Sequence, residues 1–409
     1  VIALEPVDRA LLDGEHGAAA ARAMAILMRY GEASGARRFV SVQSAHIDGC
    51  LYHGPSSIDF ARRFVDLGGR VRVPTTLNVA AVDVTHPDWH CGPPELIPAQ
   101  SELTELHEKL GCVPTLTCAP YQRMLRPRAG EHVAWAESNA IVFVNSVLGA
   151  RTDRYGDFAD LCAALTGRVP MVGLHCDENR RARCIVTIPS PDAARLPRDL
   201  YFAAIGYVLG RRAIGQVPLL RGLPDDTTED ELKALGAAGA SSGALALFHA
   251  EGVTPEAGRQ VPDGLPILTI ASEDLEAAVA SLCPVKPGER VAAICLGTPH
   301  YSIAEFRALS AAVEKRTPAP SVSTFVSTSR EIAATVEADP ALAPLRVFGV
   351  RLVVDTCTYL APVVAARDGV ILTTSGKYAH YGPGNLQRRI GLMTLERCIR
   401  SAELGEVAP

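Results

Sequence analysis

Short runs of β-branched and aromatic residues recur along this chain, and each empties into a cluster of polar side chains before a helical pattern begins. A run of that composition is a strand meant for burial. Repeated units of strand, polar mouth and helix predict parallel sheets covered on both faces, an α/β architecture. The block from residue 115 to residue 180 shows the pattern most densely, reading TLTCAPY, then WAESNAIVFVNSVLGARTDR, then GLHCDENR. Residues 115–118 and 141–144 are read as strands. Polar residues crowded past such strands lie at the carboxyl edge of a sheet, where open α/β sheets bind their ligands. The centre of the site is therefore expected among Cys118, Tyr121, Asn145, Ser146, Arg151, His175, Cys176, Asp177, Asn179 and Arg180.

The same grammar runs through the rest of the chain. Residues 5–29 have helical periodicity, stopped near Gly31 and Gly35. Strand 39–42 leads into SAHIDG, with His46 at its mouth, and Ser56 and Asp59 offer a capping pair for the next helix. Strand 71–73 delivers Thr75, Thr76 and Asn78, and residues 98–110 form an amphipathic helix. Thr228 and Glu231 box a helix through Leu235, which a Gly/Ala/Ser-rich stretch and strand 244–248 follow. In the last third, strands 291–295, 322–326, 350–354 and 370–374 lead to GTPH, STSRE, DTC and SGKYAHYGPG. Ser302 with Glu305, and Thr328 with Glu331, are further capping pairs; Cys357 and Lys377 sit in loops. Proline-rich boundaries divide the chain into residues 1–190, which carry most site motifs, an intermediate region 191–284, and an α/β domain 285–409.

Composition narrows the chemistry. The 409 residues supply ample core, and 48% apolar content with a net charge of −5 points away from nucleic acid and membrane surfaces. No apolar run approaches a bilayer span and no signal-peptide pattern opens the chain. Because the first residue is Val1 rather than Met, an upstream piece is expected. Eleven cysteines without regular spacing, in a chain that needs no disulfide staples, predict a reducing cytoplasm. Cys162, Cys295 and Cys398 read as small core residues. Dinucleotide, P-loop, zinc-ribbon and nucleophile-elbow signatures are all missing. What remains is a set of strand-end cysteines, Cys118, Cys176 and Cys357. Thiolates converging from separate strands suit an iron–sulfur cluster with one iron open to substrate, and buried structural thiols suit the same spacing.

The long motifs carry a likeness. TLTCAPY, AWAESNAIVFVNSVLGARTDR, GLHCDENR, VPTTLNV, SAHIDG, LKALGAAGASSGALALFHAEGVTPE, DTC and SGKYAHYGPG resemble, from about Leu4 to the C-terminus, the large catalytic segment of the aconitase X family. The resemblance implies an aconitase-like fold of several doubly wound, mostly parallel sheets flanked by helices, and hydro-lyase activity. Bacterial members dehydrate cis-3-hydroxy-L-proline to Δ1-pyrroline-2-carboxylate and archaeal members dehydrate mevalonate 5-phosphate, both with an iron–sulfur centre. Cys176 stands where the archaeal type is expected to have an apolar residue, which favours hydroxyproline. The family also works with a small swivelling domain, fused or separate, that brings a serine base. No segment here resembles it, so it is expected as a partner subunit or as the rest of a fusion.

The implied roles follow residue by residue. Cys118, Cys176 and Cys357 are the expected cluster ligands, with 2Fe-2S, 3Fe-4S and 4Fe-4S all open. His46, Glu137, Ser138 and Lys377 are expected to handle protons and charge. Thr75, Thr76, Asn78, Tyr121, Asn145, Arg151, His175 and Arg180 are expected to contact substrate, the arginines by gripping its carboxylate. Each has a plainer rival. The arginines would pair with Asp153, Asp177 or Glu178, Lys377 would be solvated, the histidines would be satisfied hydrogen-bonders, and Glu137 and Ser138 would cap a turn. His300 has no assigned role. From other classes, a zinc hydrolase using His46, His175 and a cysteine, or a catalytically silent scaffold for the small partner, would also fit the residues.

Overall fold

The computed structural model describes residues 1–258 and 261–409. The chain divides into two compact units: Val1–Ala81 with Glu95–Arg181 and Thr254–Val261, and Val82–Pro94 with Ala182–Val253 and Pro262–Pro409. Among the described residues no helix is long and apolar enough to cross a membrane.

In the first unit, a parallel sheet of three short strands takes the order Thr75–Leu77, Ala45–Ile47, Ala134–Trp135. An antiparallel pair, Phe39–Ser41 with Arg168–Pro170, lies apart from it. Helices Pro55–Asp66, Leu96–Lys109, Ser138–Ser146 and Ala159–Thr166 belong to the same unit. The predicted N-terminal helix is two helices, Pro6–Leu12 and Ala18–Ala33, parted by glycines at positive φ (Gly14 and Gly17). Glycine takes that backbone conformation at little steric cost, so the chain turns there.

Several expected elements change type. Residues 141–144 are not a strand but part of helix Ser138–Ser146, in which every residue from 139 to 146 is buried. An apolar run buried all round looks alike as helix or strand, and the decisive signal is Glu137, whose carboxylate accepts from Ala140 N at 2.6 Å as an N-cap. Residues 115–118 and 71–73 join no sheet: Leu116 turns the first segment with a φ of +46°, residues 72–73 bend the second, and the strand near the latter is Thr75–Leu77, past Pro74. Helix Pro55–Asp66 begins one residue before Ser56, so Ser56 and Asp59 do not cap it.

The second unit holds two parallel sheets. One runs His249–Ala250, Pro218–Arg221, Cys184–Thr187, Ile267–Thr269; the other runs Val350–Val353, Ser323–Ser327, Val291–Leu296, Val370–Thr373, Ile390–Leu392. The core of the five-stranded sheet packs Ile294, Leu296, Phe306, Leu309, Val326 and Leu372. The capping boxes at Thr228/Glu231 and Ser302/Glu305 form as expected. The cap near Thr328 is instead Ser329, and the Thr328 hydroxyl donates to the Tyr301 carbonyl. The helix expected to end at Leu235 runs on through the Gly/Ala/Ser-rich stretch as Glu229–Gly243, and residues 244–248 are no strand, pairing starting at His249. Tertiary contact explains the glycines. A Cβ at Gly206, Gly210 or Gly243 would run into backbone of the facing helix between Arg198–Arg212 and Glu229–Gly243, which therefore pack main chain against main chain.

Candidate active site

In the first unit the parallel register decides what meets. Ala45, His46 and Ile47 lie beside Thr75, Thr76 and Leu77, and Ala45 and His46 lie beside Ala134 and Trp135 on the other edge. Asp48 and Asn78, next after their strands, and Glu137, two past Trp135, therefore emerge at the carboxyl edge. Asn78 Nδ2 donates to Asp48 Oδ1. The loop after the central strand is pinned from behind, because Asp160 Oδ2 accepts from the amides of Asp48 (2.7 Å) and Gly49 (3.3 Å). One layer back, His46 Nδ1 meets Thr76 Oγ1 at 2.8 Å, and Thr75 Oγ1 donates to the Val73 carbonyl.

Burial sets the charges at this edge. The Asp48 carboxyl is pushed up to about 7 by burial and by the like charges of Glu137, Asp157 and Asp160, with the Asn78 bond working the other way. Asp160 rises to about 6 through burial despite its backbone donors. His46 is pushed down to about 4 by burial, against the pull of Glu137, and is neutral at physiological pH. Glu137 has both oxygens engaged, one on Ala140 N and one accepting from Ser138 Oγ at 3.1 Å. Glu137 and Ser138 thus take the capping role that was their plainer alternative.

A second cluster of the same unit gathers His175, His132, Tyr155, Arg151 and Arg180. His175 Nδ1 lies 2.8 Å from His132 Nδ1, and its Nε2 meets the Tyr155 hydroxyl. Burial and the neighbouring cations push His175 to about 3 and His132 to about 4, so both are neutral. Arg180 is fully buried. It donates to Glu256 Oε2 (2.9 Å from Nε), to Asn145 Oδ1 (2.9 Å) and to Asn145 O (3.1 Å). Asn145 is spent likewise, exchanging hydrogen bonds with Thr152 at 3.0 Å. Arg151 pairs with Asp177 and donates to His175 O at 3.4 Å. The Tyr121 ring stacks on Phe143 at 3.6 Å, and its hydroxyl accepts from Asn139 at 2.8 Å. Cys118 is buried at 2% exposure with its carbonyl bonded to Asn139, whereas Cys176 is part-exposed with its thiol on Met171 O.

The second unit supplies a sulfur and an imidazole side by side. His300 follows strand Val291–Leu296, Cys357 follows Val350–Val353, and their ligand atoms lie within 4.8 Å. His300 Nε2 is 3.2 Å from the Thr356 carbonyl, which can only accept, so the proton sits on Nε2 and the lone pair on Nδ1. Lys377 is not a solvated loop lysine. It lies in the first turn of helix Gly376–Leu386, capped by Ser375, is 4% exposed, and holds its ammonium 5.9 Å from the Tyr359 ring centre. A buried thiol beside a buried imidazole is a donor pair that suits iron or an iron–sulfur cluster. Cys176, His46 and His175 belong to no group of three or more metal-ligating side chains among the described residues. None of the eleven cysteines is in a disulfide.

Sequence reading missed two residues here. His300 was left without a role, although GTPH and DTC both follow strands of one sheet. Asp48 was passed over inside SAHIDG, although it ends the central strand.

Three family models, described as the aconitase X first, second and third domains, match residues 1–178, 182–280 and 291–403. The chain belongs to the aconitase X family. It is 41% identical to a cis-3-hydroxy-L-proline dehydratase of Pseudomonas aeruginosa, over 98% of this chain and 70% of that protein. A cis-3-hydroxy-L-proline dehydratase of Hypocrea jecorina is 39% identical, over 98% and 68%. A phosphomevalonate dehydratase large subunit of Thermococcus kodakarensis is 35% identical, over 91% and 92%. The crystal structure of Thermococcus kodakaraensis aconitase X in its holo-form matches with a TM-score of 0.88 at 32% identity, covering 98% of this chain and all of that one. With these relatives, the chain is a hydro-lyase of aconitase-like α/β fold.

Proposed function

We propose that this chain is the large catalytic part of a cis-3-hydroxy-L-proline dehydratase. The carrying observation is the match, at 41% and 39% identity across 98% of the chain, to two proteins named for that activity. The charges at the first unit's sheet edge support it. Glu137 and Asp160, whose negative charges act on Asp48 there, suit the ammonium of an amino acid and oppose the cationic pocket a phosphate needs. The relatives named as phosphomevalonate dehydratase large subunits support a further proposal, a small partner that completes the enzyme, as a separate subunit or a fused domain.

In this reading Cys118, Cys176 and Cys357 hold an iron–sulfur centre, with His300 as a further donor. That centre, when bound, supplies Lewis-acid help to the departing hydroxyl. Lys377 and Arg151 neutralise the substrate carboxylate, while Thr75, Thr76 and Asn78 orient the ring. Neutral His46 and His175 hold hydrogen bonds rather than charge. Cytoplasmic residence is part of the same proposal.

The test is a side-by-side assay of anaerobically prepared protein, reconstituted with its small partner, on cis-3-hydroxy-L-proline and mevalonate 5-phosphate. Turnover of hydroxyproline with iron and acid-labile sulfide present, lost in Cys118→Ala, is the expected result. Turnover of the phosphate ester alone would transfer the chain to the other activity, and zinc without iron would remove the cluster.

A further inference from the structure

The three strands that end together in the first unit deliver two unlike carboxyl groups, and their surroundings divide the work between them. Glu137 is committed, with one oxygen on the Ala140 amide and the other on the Ser138 hydroxyl. Asp48 is the first residue past the central strand, bonded by Asn78 from one neighbouring strand's end and acted on by the Glu137 charge from the other's, and its loop is fixed by the Asp160 carboxylate. Its side chain receives the Asn78 amide, whose own Oδ1 has no hydrogen-bond partner although Asn78 is only 3% exposed. A buried amide oxygen left open beside an aimed carboxyl is a place for a donor, such as a substrate hydroxyl or ammonium.

We infer that Asp48, not Glu137, is the general acid that protonates the departing hydroxyl. The inference rests on the hydro-lyase reading above. In the step, a base removes the Cα proton and the C–H electron pair becomes the C=C bond. The C3–O bond breaks with its pair on oxygen, and the Asp48 proton joins that oxygen as water. Asp48 is left ionised and is reprotonated from solvent while the base releases the Cα proton to solvent, so the sum is substrate to unsaturated product plus water with no change of oxidation state.

The neighbours keep Asp48 protonated near neutral pH. The charges that raise it are negative: Glu137 past the adjoining strand's end, Asp157, and Asp160 on helix Ala159–Thr166. His46, two residues back, is neutral, and the Cys50 thiol two residues on is pushed far up by burial. Paired carboxyls held in different protonation states are how one site runs an acid beside an anion.

The experiment uses the complete enzyme, metal-loaded and with its small partner, on cis-3-hydroxy-L-proline and on its cis-3-fluoro analogue, whose fluoride leaves without a proton. With the natural substrate, Asp48→Asn should lower kcat by about 10²–10⁴-fold at little change in KM, and Asp48→Glu should restore part of it. Wild-type kcat should fall as pH rises through about 7 with the hydroxy substrate and stay level with the fluoro analogue. Asp48→Asn should process the analogue at close to the wild-type rate. Loss of both substrates alike, or a kcat within about threefold of wild type on the hydroxy substrate, overturns the assignment. The wild-type pH comparison decides the matter should the variant fail to fold. Should wild type ignore hydroxyproline, the substrate reading fails instead, and the same Asp48→Asn comparison on mevalonate 5-phosphate judges Asp48.

Discussion

Lys233 is the most exacting test of how the second unit is held together. It is 2% exposed, and its ammonium donates to Asp230 (2.9 Å), to Glu305 and to the His300 carbonyl (3.3 Å). Ser302 closes the ring by donating to Asp230 Oδ2 at 2.6 Å while capping the helix that carries Glu305. Lys233→Met keeps most of the volume and leaves two carboxylates facing each other. Removing one partner of a buried pair costs about 3–5 kcal/mol. Asp230 and Glu305 keep 27% of their side chains in water, which places the expected loss near the lower end, about 3 kcal/mol. The pH dependence has a definite sign. Burial works to lower the Lys233 pKa, but Glu305 and Asp230 outweigh it and the value rises, so its contribution is full below the ordinary lysine range and fades only as pH climbs beyond it. The Asp230 pKa is lowered, with Lys233 overcoming burial, so that share is present above the ordinary aspartate range and fades as pH falls through the depressed value. The gap between wild type and variant, measured by urea unfolding with probes in the second unit, should be widest near neutrality and close at both extremes. A variant within about 1 kcal/mol of wild type at pH 7 would refute the reasoning, since it would make the network no stronger than a surface pair.

Gly243→Ala forces a methyl into the Gly210 carbonyl and should cost about 1–3 kcal/mol or more, read as a lower urea midpoint, whereas Gly252→Ala meets no atom within 4 Å and suffers only its left-handed backbone. The raised Asp48 pKa favours the folded state below about pH 4, and that contribution is lost as pH rises through about 7; Asp48→Asn should flatten the fall in stability across that window in denaturation curves taken at several pH values. His300→Ala and Cys357→Ser should each lower the iron bound per chain, measured by metal analysis with the fold monitored by circular dichroism. Lys377→Met should leave iron content unchanged while raising KM.

The parallel architecture was legible because strands buried on both faces are written as continuous apolar runs, as residues 291–296 (VAAICL) and 370–373 (VILT) are. The same rule misread residues 141–144. A short helix buried all round has no polar face to break the apolar run, so only the cap at Glu137 distinguishes it from a strand. Residues 236–243 failed in the opposite direction. Their three glycines and two serines, of low or middling helix propensity, led the helix to be ended at Leu235, and the close approach of helix Arg198–Arg212 overrode that preference. The capping boxes at Thr228/Glu231 and Ser302/Glu305 were read correctly. At Thr328 a serine next door took the role.

Site residues were harder to read for a reason that is itself physical. The strand ends name which side chains reach a sheet edge, but not which of them arrive already satisfied. Arg180 looked like a carboxylate grip, and its partner, Glu256, lies 76 residues further along the chain; a guanidinium saturated by that carboxylate and by Asn145 holds a loop instead of a ligand. Asp48 was passed over inside SAHIDG, and only its place just past the central strand, bonded by Asn78 and acted on by the Glu137 charge, gives it a proton to lend. Residue type therefore narrows the chemistry, while the partners brought by distant segments decide which residue performs it. That is why a fully engaged Glu137 and Asp48, 89 positions apart and alike in functional group, are expected to part company when each is replaced by its amide: Glu137→Gln should weaken the cap of helix Ser138–Ser146, and Asp48→Asn should remove the proton the leaving hydroxyl needs.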